Sequence, residues 1–316
     1  MMKPRVAVLA SEGLLLDSLL DEWQGSERFR ECEPLLLCVG EAAGQSAMFG
    51  NKALAFQSLE QADLSALALL IVLESSLVVE ASRNVLSQLS CPVIGSRQSL
   101  QSLNPAMFDG SKALGVLAVP QAPTIAVQLL SRHFVLESVD ATMLLPASLF
   151  GKQGVEELAM QTARLLNAQT VEKHLFEQQM PFNCFPLADD IDAFQQQLTA
   201  EWQEMFSGAD AHLSAVQVPV FHGMGMQLAL VLDTPIDIPA VTKHWQAENG
   251  LNWLIDSRQL SMISAAQDEG MISLGSVRQS PVDEYRIDLW LAFDDMRLYM
   301  RHGLLAAADF LLKSDL

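Results

Sequence analysis

Residues 5–23 read RVAVLASEGLLLDSLLDEW and join two different apolar patterns. The first, RVAVL at residues 5–9, is a short continuous apolar run, typical of a buried strand in a parallel sheet. The second covers residues 12–23, where leucines at 14, 15, 16, 19 and 20 follow one face of a helix. A strand that leads directly into a helix is the repeating unit of doubly wound parallel sheets.

The same alternation continues to residue 122. Apolar runs predict further strands at residues 35–39, 67–73, 92–94 and 115–119, and a helical pattern covers residues 78–89. The sequence therefore predicts an α/β fold whose first domain, residues 1–122, contains a doubly wound parallel sheet.

Beyond this point the pattern becomes that of an α+β domain. A helix is predicted at 123–134, with Pro123 at its first position, where the missing N–H group is not needed. Strands with a period near two follow at 139–145, 213–220, 227–232, 271–277 and 285–292, with helices at 154–166, 191–206 and 238–248. This predicts a mixed or antiparallel sheet within residues 123–295. The tail, 296–316, carries an apolar helix over 296–312 that is expected to complete the first domain.

Two of these strands look apolar on both faces. They contain LALVL at 228–232 and LWLAF at 289–293. Such a sheet needs cover on both sides, so helices are expected on one side and a second subunit on the other, as in a homodimer. Cover by the chain's own helices on both sides is the alternative.

Composition limits the partners. The chain has 316 residues, half of them hydrophobic, and a formal net charge of -19, which argues against nucleic acid and anionic membranes as partners. The longest apolar stretch, 66–73, is too short to span a bilayer, and we expect no signal peptide. The cysteines show no CxxC spacing and are expected to be reduced, mostly buried thiols of a cytoplasmic protein. They are Cys32, Cys38, Cys91 and Cys184.

Several short motifs occur in one order along the chain. They are VAVL at 6–9 followed by Gly13, FGNK at 49–52, AVPQAPTIAVQLL at 118–130, PFNCFP at 181–186, VQVPVFHG at 216–223, Gly275 with Arg278, and WLAFDDMR at 290–297. Together they resemble the aspartate-semialdehyde dehydrogenase family over nearly the whole length, with the nearest likeness to its non-catalytic Usg-type homologues. The resemblance implies a Rossmann-like NAD(P)-binding-type domain over 1–122 and a semialdehyde-dehydrogenase-type dimerisation domain over 123–295.

The resemblance also implies where the catalytic groups of such enzymes stand. Ala122 occupies the position of the nucleophilic cysteine, and a methyl group cannot attack an aldehyde. Leu145 falls near the family's glutamine, Gln217 at the arginine that clamps the substrate carboxylate, and Met224 at the acid-base histidine. These positions are therefore expected to be degenerate, and no catalytic residue is predicted.

Other positions of the resemblance are less well defined. The substrate-binding glutamate and lysine fall near Gln195 and Gln197, while Glu201 persists. His222, two residues before Met224, is expected to be an ordinary loop histidine, although it would approach the cavity if the loop shifted.

The nucleotide motifs are reduced as well. Of the three glycines of a dinucleotide turn only Gly13 remains, beside the negative charge of Glu12 and the bulk of Leu16. Gly44 ends the turn that the family uses for the 2′-phosphate of NADP. Glu41 in that turn is expected to be a solvated loop acid; as an acceptor for a ribose hydroxyl it would fit NAD better than NADP. Gly13 and Gly44 are therefore interpreted as vestiges. No cofactor is expected, and NAD or NADP is the choice if one binds.

The remaining acidic groups predict no metal. Asp189, Asp190 and Asp192 read as charges at a helix start, and the pair Asp294–Asp295 lacks the pattern of a calcium loop. The sequence favours a dimeric scaffold or binding protein that has lost catalysis, with an unknown protein or small-molecule partner. The alternatives are a divergent NAD(P)-dependent semialdehyde dehydrogenase of amino-acid biosynthesis and a nucleotide-binding sensor.

Overall fold

The computed structural model describes residues 3–40, 43–103, 116–187, 192–267 and 270–314. The chain forms two compact units, Met1–Gln121 with Tyr299–Leu316, and Ala122–Leu298. These limits differ from the predicted ones by one residue at the first boundary and by three at the second. No helix in the described part is long and apolar enough to cross a membrane.

The first unit contains a seven-stranded sheet in the order β3-β4-β2-β1-β5-β6-β7. Its strands are β1 Arg5–Leu9, β2 Glu33–Cys38, β3 Ser46–Phe49, β4 Lys52–Ser58, β5 Leu67–Val72, β6 Val93–Ser96 and β7 Val116–Val119. All neighbours are parallel except β3 and β4, which form an antiparallel hairpin. The predicted parallel sheet is confirmed.

Helices cover both faces at the centre of this sheet, which explains why β1 and β5 are apolar and buried along nearly their whole length. Val6 and Val8 of β1 point into a core shared with helix α1 (Leu14–Gly25), while Ala7 and Leu9 point into a second core on the opposite face. That second core includes residues of three short helices. They are α2 Ser76–Ala81, α3 Arg83–Leu86 and α4 Arg97–Leu100.

The prediction of one helix over 78–89 was wrong. The helix breaks at Ser82, whose φ of -94° and ψ of 2° leave the helical region. Serine and asparagine side chains compete for backbone hydrogen bonds and so weaken a helix interior. The segment S82-R83-N84 contains both.

The predicted tail helix is also divided. It consists of α10 (Asp295–Leu298), a π-helix (Tyr299–Leu305) and α11 (Ala306–Ser314). Met300, Leu304, Leu305 and Ala308 are buried in the same core as α1, so the tail completes the first unit. A π-turn adds one residue to a helical turn, and with it these four residues lie on the same face of the tail.

The second unit contains a mixed seven-stranded sheet in the order β12-β13-β14-β11-β8-β10-β9. The strands are β8 Leu136–Leu145, β9 Phe185–Pro186, β10 Asp210–Gln217, β11 Met224–Leu232, β12 Leu251–Trp253, β13 Ile272–Gln279 and β14 Arg286–Phe293. The helices are α5 Ala122–Ser131, α6 Gly151–Leu166, α7 Asp192–Met205, α8 Ile238–Ala247 and α9 Met262–Ala265. The predicted mixed sheet is confirmed.

The two faces of this second sheet differ in polarity. Val139, Met143 and Leu145 of β8 are buried on one face, whereas Asp140 and Thr142 lie on the other. We call the face that carries Asp140 and Thr142 the polar sheet face. It carries Asp140, Thr142, His212, Ser214, Gln227, Arg286 and Asp288.

The expectation of a sheet that is apolar on both faces was therefore wrong at its centre. In 228–232 and 289–293 the leucines at 228, 230, 289 and 291 all fall on the buried face. Ala229 and Trp290 alternate with these leucines and lie on the polar sheet face. Both side chains are apolar, but their neighbours on that face are polar.

Candidate functional site

Helix α5 begins at Ala122, the residue that the resemblance places at the nucleophile position. Pro123 is therefore the second residue of the helix and not the first. Ala122 is 5% exposed. Its methyl group offers no lone pair to a substrate carbon, so this helix start carries no nucleophile at that position.

The nearest hydroxyl group, that of Thr124, is already engaged. It donates a hydrogen bond to the Glu201 carboxylate on α7 and accepts one from Trp202 Nε1 at 3.0 Å. All three side chains are buried. Thr124 thus anchors the start of α5 to α7, and Glu201, retained from the family pattern, serves that contact.

Gln217 ends strand β10 and is 1% exposed. Its Nε2 donates to the Leu145 backbone oxygen at 2.9 Å, which fixes the orientation of the amide because a carbonyl can only accept. Its Oε1 has no hydrogen-bond partner among the described residues. A neutral amide with a committed N–H group cannot bind a carboxylate as a guanidinium does. The Leu145 side chain is buried as well.

Met224 is buried at the start of β11, and His222 is half-buried in the turn before it. The turn is held by Gly223, which has φ +86° and lies so close to α9 that a Cβ would be 2.3 Å from the Met262 backbone oxygen. Only glycine fits a left-handed conformation with so close an approach. The shift that would carry His222 into a catalytic position is therefore opposed by packing.

The two glutamines of α7 do not form a polar cluster with the degenerate positions. Gln195 Nε2 donates to the Leu213 backbone oxygen on β10 at 2.8 Å, and Gln197 is half-buried. Gln195 thus links α7 to β10.

The carboxyl ends of β1, β2 and β5 hold a carboxylate that the sequence reading missed. Glu74, shortly after β5, is buried, and its Oε1 accepts a hydrogen bond of 2.5 Å from Ser11 Oγ after β1. Burial raises the pKa of the Cys38 thiol at the end of β2, and the nearby charge of Glu74 raises it further. This edge is where doubly wound sheets bind their ligands. No local pattern marks Glu74, which follows β5 by two residues, because its hydrogen-bond partner Ser11 is 63 residues distant.

Gly13 and Gly44 both lie in open surroundings. Gly13 precedes α1 in extended backbone, and a Cβ there would have nothing within 4 Å. Gly44 has φ +92° and equally open surroundings. Leu16 is buried in the core next to β1. Glu41 lies outside the described residues.

The acidic pairs do not form a metal site in the described part of the chain, where no group of three potential ligands occurs. Asp294 Oδ1 accepts from the Arg297 backbone N–H at 3.0 Å and so caps α10. The Oδ1 atom of Asp295 is buried and has no hydrogen-bond partner among described residues. Asp189 and Asp190 lie outside the described residues, and Asp192 is the first residue of α7.

Comparison with known proteins agrees with this architecture. The profile of the semialdehyde dehydrogenase dimerisation domain matches residues 128–298. A USG-1 protein homolog from Pseudomonas aeruginosa is 27% identical, with 92% of each chain covered. Aspartate-semialdehyde dehydrogenase 2 from Vibrio cholerae is 23% identical, over 92% of this chain and 93% of that relative.

Solved structures show the same fold. A probable aspartate-semialdehyde dehydrogenase from Pseudomonas aeruginosa superposes with a TM-score of 0.87 at 25% identity, covering 99% of both chains. Aspartate semialdehyde dehydrogenase II from Vibrio cholerae, complexed with ASA, gives a TM-score of 0.85 at 23% identity, covering 100% of this chain and 99% of that one. Since the profile spans more than half of the sequence, the chain belongs to the semialdehyde dehydrogenase family and carries its dimerisation domain.

Proposed function

We propose that this chain is a non-catalytic member of the family, acting as a dimeric scaffold or binding protein. The observation that carries the proposal is Ala122 at the start of α5. The hydroxyl two residues later, on Thr124, is occupied by Glu201 and Trp202, so no neighbouring group on this helix start replaces a thiol.

The remaining degenerate positions support the same proposal. Gln217 is neutral and bonded to the backbone, and Leu145 and Met224 are buried apolar side chains. A nucleophile, a base and a carboxylate clamp act as a unit, so the loss of one already removes most of the activity and the return of one alone does not restore it.

The acidic residues near the carboxyl ends of β1 and β5 support the proposal that nucleotide binding has been lost. A pyrophosphate at the carboxyl ends of β1 and β5 would meet the Glu74 carboxylate, with Glu12 close by in sequence. We therefore expect NAD and NADP to leave the melting temperature of the protein unchanged, since a ligand that binds only the folded state raises it. A clear upward shift with either nucleotide would favour the sensor alternative.

The dimer is proposed to form through the polar sheet face. The dimerisation-domain match covers the strands that build it, and the face carries both charge signs. Arg286 contacts Asp140 at 3.4 Å and Asp288 at 3.2 Å, so a second copy related by a two-fold axis would meet a self-complementary surface. Light scattering at micromolar concentration should give twice the monomer mass, and a monomer would contradict this part of the proposal.

A cytoplasmic location is proposed from the cysteines. All four are free thiols and three of them are buried, which fits a reducing compartment.

The decisive experiment is an activity assay. The purified chain is given aspartate semialdehyde, NADP and phosphate, and NADPH formation is followed, with the Vibrio cholerae relative as the positive control. We expect no rate above the enzyme-free blank. Turnover by the purified chain that survives re-purification would overturn the proposal and favour a divergent dehydrogenase.

A further inference from the structure

A cavity of about 730 Å³ opens in the second unit between Phe150, the segment 174–187 and Gln217 at the end of β10. Its apolar walls are formed by Phe150, Phe176, Phe185 and Leu187. This volume lies within the range of small-molecule sites, which are typically apolar with a few fixed polar groups. The proposed scaffold role assigns no ligand to it.

The wall made by segment 174–187 is held in place from α6. The Glu157 carboxylate, 5% exposed, accepts backbone hydrogen bonds from His174, Leu175 and Phe176 at 3.0, 2.6 and 3.3 Å. One turn later Gln161 Oε1 accepts from the Met180 backbone N–H at 2.9 Å. The cavity is therefore preformed, which lowers the cost of ordering its walls around a ligand.

Two side-chain amides in these walls are held by the backbone. Gln217 Nε2 donates one of its two N–H groups to the Leu145 oxygen, and Asn183 Nδ2 donates one of its two to the Gln179 oxygen at 2.9 Å. The Oε1 atom of Gln217 is itself buried, without a hydrogen-bond partner among the described residues. These amides therefore add ordered polar groups to the walls and do not by themselves select the charge of a ligand.

The walls carry one carboxylate residue and no lysine or arginine. Glu177 and His174 line the cavity, and neither lysine nor arginine does so among the described residues. The neighbouring Lys173 ammonium is bonded to the Glu177 backbone oxygen at 2.9 Å, outside the lining. Phenylalanine faces attract ammonium groups, and a net charge of -19 concentrates cations around the whole protein.

We propose that this cavity binds an organic ammonium compound with an apolar body, such as an amine carrying an aromatic or aliphatic tail. The apolar body lies against the phenylalanines, and the ammonium group donates to the Glu177 carboxylate. The inference goes beyond the proposed function and relies on it in one respect, that Gln217 does not clamp a carboxylate.

Two fluorescent probes that differ only at their end test the proposal. Dansylcadaverine ends in an ammonium group, and dansyl-6-aminohexanoate has the same dansyl body and ends in a carboxylate. Fluorescence titration of the full chain at high salt should give about tenfold tighter binding of the ammonium probe, because high salt screens the general surface charge. Equal binding of the two probes, or no binding of either, would overturn the proposal.

Matched variants locate the effect. Glu177→Gln should reduce the preference for the ammonium probe at least threefold, whereas Glu137→Gln, an equal charge change at an exposed position of β8, should leave it unchanged. Leu187→Trp should weaken both probes by filling the cavity. An equal effect of Glu177→Gln and Glu137→Gln would mean that only the general charge attracts the probe and would refute the site. The dehydrogenase assay is independent of these titrations, so a failure of either proposal is recognised separately.

Discussion

Replacing Glu157 by glutamine tests how much the hydrogen bonds between its carboxylate and segment 174–187 contribute to stability. The carboxylate accepts three backbone hydrogen bonds and one from Gln161 Nε2 at 2.8 Å, shared between its two oxygens. Glutamine has one acceptor oxygen, so its NH₂ group must face the donor of Leu175 or those of His174 and Phe176. At least one charge-assisted bond, worth about 1.5–3 kcal/mol, is lost, and a buried N–H group is left without its acceptor. We expect Glu157→Gln to lower the free energy of unfolding by about 3 kcal/mol.

The assay is urea unfolding followed by tryptophan fluorescence, because four of the five tryptophans, at positions 202, 245, 253 and 290, lie in the second unit. The control is Glu156→Gln, the same chemical change one residue earlier, where the exposed side chain only contacts Lys152 at 3.8 Å. That variant should stay within about 0.5 kcal/mol of the parent. A loss for Glu157→Gln no larger than for Glu156→Gln would refute the reasoning.

The pH dependence gives a second check on the same residue. Burial acts to raise the pKa of Glu157, but the hydrogen bonds to its carboxylate outweigh burial and hold the pKa below its ordinary value of 4.5. A lowered pKa in the folded state means that the stabilisation is present above about pH 4.5 and is lost as the pH falls further. The difference between parent and Glu157→Gln should therefore shrink in acid, and a constant difference would contradict the assignment.

Three further predictions concern other sites. Ala122→Cys alone should give no dehydrogenase turnover, because Gln217 and Met224 remain, and an active single variant would show that these positions are misassigned. Thr124→Val should lower the free energy of unfolding by about 2 kcal/mol in urea titrations, since two buried hydrogen bonds to α7 are lost; a change within about 0.5 kcal/mol would argue against the anchor. Burial, and then the charge of the preceding aspartate, raises the pKa of Asp295 from 3.8 to about 7, so folded stability falls as the pH rises between these values. This pKa shift sets an upper limit of about 4 kcal/mol on the stability that the charged carboxylate costs. Because part of the residue meets water, Asp295→Asn should raise the free energy of unfolding by about 2 kcal/mol at about pH 8 and change it little at about pH 4. A loss of stability at both pH values would count against this reasoning.

The fold was predictable where a segment shows a single clear pattern of apolar residues. Continuous runs such as residues 67–72 are buried on both faces and could only be parallel strands. The errors came where packing decides: the break at Ser82, the π-turn in the tail and the polar sheet face depend on which neighbours cover a residue.

The positions of the candidate site were predictable only where a short motif marks them. Ala122, Gln217 and Met224 could be named because each falls in a short motif with a fixed order along the chain. Glu74 and Glu157 could not, because their partners are 63 and 17 to 19 residues distant and no local pattern marks a carboxylate that is buried by such contacts.

The return of the tail to the first unit has a consequence for biosynthesis. Met300, Leu304 and Ala308 belong to the core around α1, yet they are synthesised after the whole of the second unit. On the ribosome the continuous unit Ala122–Leu298 is complete first, while the face of the amino-terminal sheet that packs against α1 stays only partly covered until the tail is made. A nascent chain stopped shortly before residue 299 would expose apolar surface of the earlier unit, so the order of folding along this chain runs against the usual order of translation.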